Sequence, residues 1–390
     1  MTELNKENAD DWKEKLRSAF ISAFSGNPQE NIQVYTEVGY YYMCCAPSSL
    51  YKYYSDRQEK LETVKHNKMW YSAPCNFNDV FDCDMSMDEE GIFQSILQMY
   101  PDKRGIREGS PIWRDLLKTC RQQIRTFQSS YDILKSRVGI SCLSESDDSL
   151  LMWAHYANSH KGFCIEYDLD KMLQSSYPDF DIRNKITVIY QPNMPTIVKE
   201  DFNDIFGIQK KVFGTKSLAW EYENEIRLVF LESGIKHYSQ EIVTGIYFGL
   251  NIGLEERNLI INKLKRKNIK FYQINRTNNS YKLSCSELNE SDIYNYQIIS
   301  QSSNMIVDNY NVLYLGVNKD KITMQNFVNE FRRGKYKPTN ITIYDDLRVE
   351  KCINKWSSQT TEEEKQILAK HWITYAPFDI APIIWMYPES

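Results

Sequence analysis

The stretch that decides the fold is residues 220–230, WEYENEIRLVF, whose second half is an apolar and β-branched run that predicts a strand. Side chains alternate between the two faces of a strand, so Glu221, Glu223, Glu225 and Arg227 are predicted to share one face. Three carboxylates beside one guanidinium raise the pKa of at least one carboxyl group, which is typical of functional sites. An edge strand with a solvated charged face is the alternative interpretation.

On both sides of this stretch, short runs of β-branched and aromatic residues predict further strands. The predicted strands of the middle region are 138–143, 162–167, 186–190, 225–231, 242–248, 270–274 and 281–285. Two predicted helices, 195–213 and 254–267, lie among them. This mixture of hairpin and crossover spacings predicts an α+β fold with a mixed, largely antiparallel sheet and flanking helices.

The sequence predicts three regions. Residues 1–49 form an N-terminal helix and linker, and residues 50–300 form the main site domain. The polar stretch 289–308 is the predicted domain boundary. Residues 304–390 follow as a small C-terminal α/β module with a β-α-β-α-β order. We expect this tail to contribute no catalytic residue and to bury little on its own.

Composition excludes several classes of protein. The chain has 390 residues, with 47 Lys and Arg against 52 Asp and Glu, and its 27 Tyr exclude an intrinsically disordered chain. No apolar run reaches the ~18 residues of a membrane span, so integral membrane function is not expected. The first eleven residues lack the apolar stretch of a secretory signal, and the nine Cys form no CxxC pair. These features predict a cytoplasmic protein.

Common ligand motifs are absent. The sequence has neither a G-x-x-x-x-G-K-[ST] loop nor a G-x-G-x-x-G turn, so a P-loop or Rossmann site is not expected. An acidic run contains Asp79 and Asp82, but an EF-hand loop starting at Asp82 needs glycine where Met87 stands. A metal-dependent hydrolase or nuclease using Asp79, Asp82 and Glu223 stays open as a third interpretation, although we expect no bound metal.

Four blocks in order carry a resemblance to a known family. They are Tyr51–Tyr53, Phe77–Asp82, Trp153–Gly162 and Trp220–Arg227. Together they resemble the bacterial family catalogued as domain of unknown function 2971. Its pattern is YKY, a Phe-Asn-Asp turn ending in FD, a W-x-H-Y-A-x-x-H-x-G block and a W-x-x-E-x-E-x-R strand. One departure is Val80, where the family usually has proline.

A weaker resemblance is to ADP-ribosyltransferases, chiefly those that modify nucleic acids. Their split sheet has a first strand with a basic or aromatic residue that holds NAD, then a middle strand with an aromatic or hydroxyl residue. This resemblance implies Lys52 or Tyr53 on the first strand and Ser141 or Ser144 on the middle strand. No clear Arg or His stands on the first strand.

The same resemblance implies a catalytic pair on the late strand, with Glu225 as the catalytic glutamate and Glu223 two residues before it. A carboxylate against the ribose stabilises the oxocarbenium-like state formed when the nicotinamide bond breaks. Aromatic rings stack on nicotinamide, and cations pair with pyrophosphate. The residues expected to contact NAD are Lys52, Tyr53, Ser141, Trp153, His155, Tyr156 and Arg227.

The first functional hypothesis is therefore an enzyme that cleaves NAD and transfers ADP-ribose to a protein or nucleic acid, as a bacterial toxin or phage-defence effector. The alternative is a non-catalytic module that senses a ligand or binds a protein. In either case we expect the tail to dock a regulatory partner or the main domain through large aromatic side chains. The predicted anchors are Trp356, Trp372, Phe378 and Trp385.

Overall fold

The computed structural model describes residues 47–55, 58–100, 106–174, 185–265, 269–353, 355, 359–380 and 382–387. Residues 1–46, which carry the predicted N-terminal helix, lie outside the described residues, and so does the predicted anchor Trp356. Both stay predictions.

The chain forms two compact units. Within the described residues, the first unit comprises 47–52, 62–152 and 165–244. The second comprises 53–61, 153–164 and 245–390, with the gaps given above. These limits differ from the predicted division at residues 300–304.

The elements of the first 250 residues follow the apolar runs of the sequence closely. The strands are β1 (Ser49–Tyr54), β2 (Lys68–Tyr71), β3 (Ser86–Met87), β4 (Gly139–Ser144), β5 (Phe163–Asp168), β6 (Lys185–Thr187), β7 (Ile189–Gln191), β8 (Thr196–Ile197), β9 (Thr215–Ser217), β10 (Glu225–Phe230), β11 (Gly234–His237) and β12 (Val243–Phe248). The α-helices are α1 (Gln58–Lys65), α2 (Glu89–Gln98), α3 (Pro111–Arg137), α4 (Leu150–Tyr156), α5 (Leu169–Gln174) and α6 (Ile205–Phe213). Short 3₁₀ turns include Pro74–Asn76, Lys199–Asn203 and Leu218–Glu223.

The remaining elements of the described chain begin at Leu254. The strands are β13 (Lys270–Arg276), β14 (Leu283–Glu287), β15 (Tyr296–Ser303), β16 (Asp308–Tyr314), β17 (Thr339–Tyr344), β18 (Trp372–Ala376) and β19 (Ile384–Trp385). The helices are α7 (Leu254–Leu264), α8 (Lys321–Arg332), α9 (Glu350–Ile353) and α10 (Glu362–His371). Two of these helices begin at a residue whose side chain caps the first turn. Ser110 and Thr361 cap α3 and α10 by accepting hydrogen bonds from the first-turn amides of Trp113 and Glu364.

In the first unit, strands lie in the order β5-β1-β4-β10-β6. The pairs β1–β4, β4–β10 and β10–β6 are antiparallel. Helix α3 lies against this region through Tyr131, which belongs to an apolar cluster with Ile140, Ile208 and Phe213. The sheet therefore has one face covered by helices, which places β10 in the interior.

The second unit contains two groups of strands. Strand β12 pairs in parallel with β13, which pairs antiparallel with β14. Five strands lie in the order β15-β16-β17-β18-β19, with a parallel pair β16–β17 joined through α8. Helix α8 buries Phe327 and Phe331 against this sheet.

The tail is more extensively folded than the sequence predicts. The stretch 289–308, predicted to be a polar boundary, contains the eight-residue strand β15. The predicted boundary at Asn304 falls in the turn between β15 and β16, and the tail sheet has an apolar core of its own. Of the predicted anchors, Trp385 packs against that core, Trp372 lies beside Tyr344, and Phe378 is exposed. The expectation that the tail buries little is wrong.

The fold class is α+β, with a large, mostly antiparallel sheet and flanking helices, as predicted. Among the residues that the structure describes, no helix combines the length and the apolar character that crossing a membrane requires.

Candidate functional site

Five ionisable side chains lie together in the interior of the first unit. They are Asp82, Lys216, Glu223, Glu225 and Arg227, and each is at most 7% exposed. We call this set the buried charge network. Ionised groups are rarely buried unless they are paired, because removal from water costs several kcal/mol for each ion.

Arg227 is the centre of the network. Its Nη2 lies 2.7 Å from Asp82 Oδ2 and its Nε lies 2.9 Å from Glu225 Oε1. Its Nη1 donates to the carbonyl oxygen of Phe213 at 3.0 Å. Two carboxylates and one carbonyl therefore use the planar guanidinium, which is the geometry in which arginine pairs most strongly.

Lys216 supplies the second cation. Its Nζ lies 3.1 Å from Glu225 Oε2 and 3.5 Å from Asp82 Oδ2, and it also contacts the carboxylate of Glu223. Three carboxylates thus surround two cations. Strand β9 supplies Lys216, so the network joins β9, β10 and the turn that carries Asp82.

These charges shift each other's titration. Burial alone raises the pKa of Glu225, but Arg227 and Lys216 outweigh burial and hold that pKa well below its usual value. Burial alone lowers the pKa of Lys216, but the carboxylates of Glu225, Asp82 and Glu223 outweigh it and raise that pKa. Glu225, Lys216 and Arg227 are therefore ionised at neutral pH.

This ionisation makes stability depend on pH. A carboxyl group whose pKa is depressed by folding stabilises the protein above its unfolded pKa, and that contribution is lost as pH falls toward the folded pKa. For Glu225 the ordinary value is 4.5, so wild-type unfolding free energy should fall by about 1–3 kcal/mol more than that of Glu225→Gln below about pH 4.5. Urea unfolding at neutral and acidic pH measures this. The exposed Glu221→Gln variant should follow wild type, and parallel profiles for all three proteins would contradict the prediction.

The structure corrects the predicted alternation of carboxylates. Glu225 and Arg227 do share one face of β10, but residues 218–223 form a 3₁₀ turn rather than a strand. Asn224 then adopts a left-handed conformation at φ 41°, which redirects the chain into β10. Glu223 reaches the network from this turn, whereas Glu221 is exposed. The third carboxylate of the cluster is Asp82.

Lys52, Ser141 and Ser144 lie in the first unit, whereas Tyr53 belongs to the second. Lys52 Nζ donates to Ser141 Oγ at 2.8 Å. The register pairs Ser141 with Leu228 and Ser144 with Glu225, so Ser141 and Glu225 face opposite sides of the sheet. The structure therefore brings Lys52 together with Ser141 and does not place this pair on the Glu225 face.

The predicted aromatic and histidine residues belong to the second unit. Trp153 is completely buried, and its ring meets Tyr53 edge to face at 5.1 Å. His155 is exposed and Tyr156 is half-buried. Trp153 is therefore a core residue.

The turn after α4 explains much of the W-x-H-Y-A-x-x-H-x-G block. Asn158, Ser159 and His160 all have positive φ, at 46°, 55° and 67°. A Cβ atom on Gly162 would lie 2.0 Å from the carbonyl oxygen of Tyr54, so only glycine fits there. His160 Nδ1 is buried and has no hydrogen-bond partner among the described residues. This block builds a tight turn.

The structure also bears on metal binding. Within the described ranges, no group of three or more His, Cys, Asp or Glu side chains is arranged to hold a metal ion. Of the carboxylates named for a metal-dependent reaction, Asp82 and Glu223 both contact Lys216. Asp79 instead accepts a hydrogen bond from the amide of Phe81 in an exposed turn.

A cavity of about 340 Å³ lies in the first unit beside these strands. Its lining combines apolar, amide, hydroxyl and charged groups. The lining residues that define its chemistry are Ile186, Ile189, Met194, Pro195, Asp201 and Lys211. Lys211 Nζ is held by Asp201 Oδ2 and by the carbonyl oxygen of Thr196, each at 2.8 Å. No motif in the sequence indicates this cavity, because ordinary apolar and polar residues form its wall.

In comparison with known proteins, residues 152–228 match the family model described as protein of unknown function (DUF2971). No curated protein and no solved structure matches the chain significantly. Two of the four blocks quoted above, Trp153–Gly162 and Trp220–Arg227, lie inside the matched segment, and the other two lie outside it. Residues 152–228 therefore resemble the DUF2971 family, as the blocks Trp153–Gly162 and Trp220–Arg227 predict.

Proposed function

We propose that the first unit is a non-catalytic domain that binds a small molecule in the 340 Å³ cavity. The observation that carries the proposal is the position of the lining residues in the sequence. Every lining residue falls between Ile186 and Thr215, inside the segment that matches the family. Ligand pockets in proteins begin at about 300 Å³ and are lined mainly by apolar groups with a few polar ones.

The lining indicates the class of ligand. Ile186, Ile189, Met194 and Pro195 supply apolar surface, and the hydroxyl and amide groups of the wall supply hydrogen bonds. Asp201 neutralises Lys211, and Lys210, which also lines the cavity, interacts electrostatically with Asp204. The wall therefore favours a ligand without a large net charge. A small, mostly apolar molecule with a few hydrogen-bonding atoms fits this wall.

The buried charge network supports a binding role because it holds the strands beside the cavity. In the register of β10 with β6, Arg227 lies opposite Ile186 and Ile226 lies opposite Thr187. Lys216 directly follows Thr215, another lining residue. Charges that are buried and paired with each other position the wall, and they present no reactive group to a ligand.

Filling the cavity tests the proposal. A ligand present at 100 times its Kd adds about 2.7 kcal/mol of stability, which raises the Tm of a domain of this size by about 5–10 °C. We expect a library of small metabolites, screened by thermal unfolding of the full chain, to contain a compound with this effect on wild type. The effect should be absent in Ile189→Trp, because the larger ring occupies the cavity.

The matched control is Ile112→Trp, which adds the same ring at an exposed position outside the cavity. It should respond to the compound as wild type does. A screen without any stabilising compound would overturn the proposal, as would equal stabilisation of the Ile189→Trp protein.

A second candidate is an enzyme that cleaves NAD and transfers ADP-ribose to a macromolecule, as a toxin or phage-defence effector. The observation that favours it is strand order. Strands β1, β4 and β10, which carry Lys52, Ser141 and Glu225, are neighbours in the sheet. For this chemistry the carboxylate of Glu225 has to reach the ribose, so Glu225 has to leave Lys216 and Arg227.

This candidate has its own test. Incubation of the full chain with labelled NAD and a cell lysate should release nicotinamide and transfer label. Glu225→Gln should lose at least about 10²-fold of that activity, because it removes the charge that stabilises the cationic transition state. Circular dichroism verifies that the variant is folded, and the exposed Glu221→Gln serves as control. Absence of activity in wild type, or full activity in folded Glu225→Gln, would exclude the candidate.

A further inference from the structure

A second cavity, of about 320 Å³, lies wholly in the second unit. Helices α7 and α8 and strands β13 and β14 contribute to its wall. Among the described residues that line it, Leu288 alone is aliphatic, so the wall differs from that of the first-unit cavity. The uncharged hydrogen-bonding residues of the wall are Gln273, Asn275, Ser286, Tyr294, Asn326 and Asn329.

Two residues of this wall are polar at positions where a fold normally has apolar side chains. Arg257 of α7 is 1% exposed, and Gln273 of β13 is 3% exposed. They contact each other, since Arg257 Nη1 lies 3.2 Å from Gln273 Oε1. Even so, Arg257 Nε is buried and has no hydrogen-bond partner among the described residues. Polar groups that break the rule of an apolar interior are expected at functional sites.

The charges around this wall cancel. Glu330 of α8 binds two arginines, with Arg257 Nη1 at 2.6 Å and Arg333 Nη2 at 2.7 Å. Lys270 pairs with the lining residue Glu287 at 3.0 Å. With Lys270 counted, the balanced set is Arg257, Lys270 and Arg333 against Glu287, Asp292 and Glu330. A ligand with a net charge therefore gains no electrostatic advantage at this wall.

Amide groups of the wall are available to a ligand. Asn326 and Asn329 are three residues apart on α8, so they lie on one face of the helix, and both are exposed. The Asn326 side chain makes no hydrogen bond within the described part of the chain. Asn275 Nδ2 donates to Ser286 Oγ at 3.0 Å, which leaves Asn275 Oδ1 to accept. Each amide has both donor and acceptor atoms, so together they suit a partner that also donates and accepts.

We propose that this cavity binds a neutral sugar of one or two rings. A sugar hydroxyl both donates and accepts, so it pairs with amide N–H groups, amide oxygens and carboxylates alike. A neutral ligand suits a wall whose charges cancel, and a ligand covered with hydroxyl groups suits a wall with little apolar surface. The volume lies near the lower end for ligand sites, which fits one or two rings.

Isothermal titration calorimetry of the full chain with glucose, galactose, mannose, ribose, maltose and lactose tests the proposal. At least one of them should bind with a Kd of about 1 mM or below. Asn326→Leu should weaken that binding about tenfold, because it leaves a sugar hydroxyl without its partner. Asn318→Leu is the matched control, since it makes the same change at an exposed residue outside the cavity and should bind as wild type does.

Two further measurements define the site. Ile189→Trp, which fills the first-unit cavity, should bind the sugar as wild type does, so this test does not depend on the function proposed for that cavity. The aldonic acid and the amino sugar that correspond to the selected sugar should bind more weakly, because each carries a net charge.

Four results would overturn the proposal. The first is that no sugar of the panel binds wild type, and the second is that Asn326→Leu, shown to be folded by circular dichroism, binds as wild type does. Tighter binding of the charged relatives would contradict the charge argument. Loss of sugar binding in Ile189→Trp would place the sugar in the first unit instead.

Discussion

Replacement of Arg227 by methionine is expected to lower the free energy of unfolding by about 3–5 kcal/mol, as removal of one partner from a buried ion pair does. Arg227 is fully buried, and its loss leaves Asp82, Glu223 and Glu225 with Lys216 as the one remaining cation of the network. Methionine has a similar length and preserves packing, so the change isolates the charge. The free energy of unfolding of a native domain is about 5–15 kcal/mol in total. The urea concentration at the unfolding midpoint should therefore fall strongly.

Arg121→Met is the matched control. Arg121 pairs with Glu89 at 3.6 Å, and both side chains are more than half exposed. An exposed pair of this kind contributes about 0–1 kcal/mol, so the control should unfold close to wild type. Equal unfolding midpoints for the two variants would show that the buried charge network contributes no more than a surface pair.

The elements that rest on apolar runs could be predicted from the sequence. The predicted strand 225–231 is β10 (Glu225–Phe230), and the predicted strand 138–143 is β4 (Gly139–Ser144). Each run is β-branched, short and bounded by turn residues, and each strand is buried in the structure. Local pattern and tertiary burial agree here, so the prediction was accurate to one residue at most ends.

Strand β15 could not be predicted, because its local pattern and its position in the fold disagree. Its second half, Ser300–Ser303, is polar and largely solvent-exposed, so the period-2 alternation of a half-buried strand is absent. The hydrogen bonds to β16 hold it in place, and these depend on a partner strand. A polar edge strand therefore cannot be told from a linker by its sequence pattern.

The network was predictable only where its members share a strand. Glu225 and Arg227 are two residues apart on β10, and alternation correctly placed them on one face. Asp82 is 145 residues from Arg227 in sequence, and only the fold brings the two side chains together. Glu221 was wrongly included because the left-handed Asn224 ends the strand pattern, and a single positive φ leaves little trace in a sequence.

The second large effect concerns the tail core. Phe327→Ala is expected to cost about 3–5 kcal/mol, the range for removing a fully buried phenylalanine. Phe327 is completely buried on α8, and its ring lies 5.3 Å from the rings of Tyr294, Tyr296 and Tyr314. The lost ring leaves a cavity between helix and sheet. The three tyrosines fill it only partly, because Tyr296 and Tyr314 are fixed in β15 and β16 and Tyr294 lies just before β15.

Hydrogen exchange of the full chain measures this effect directly, because amides of β16 and β17 should exchange faster in Phe327→Ala. Val317→Ala is the control, since Val317 is fully exposed and its truncation should change stability by less than about 0.5 kcal/mol. If the tail sheet had no core of its own, both variants would exchange alike. Faster exchange confined to Phe327→Ala is therefore the result expected of a tail stabilised by its own packing.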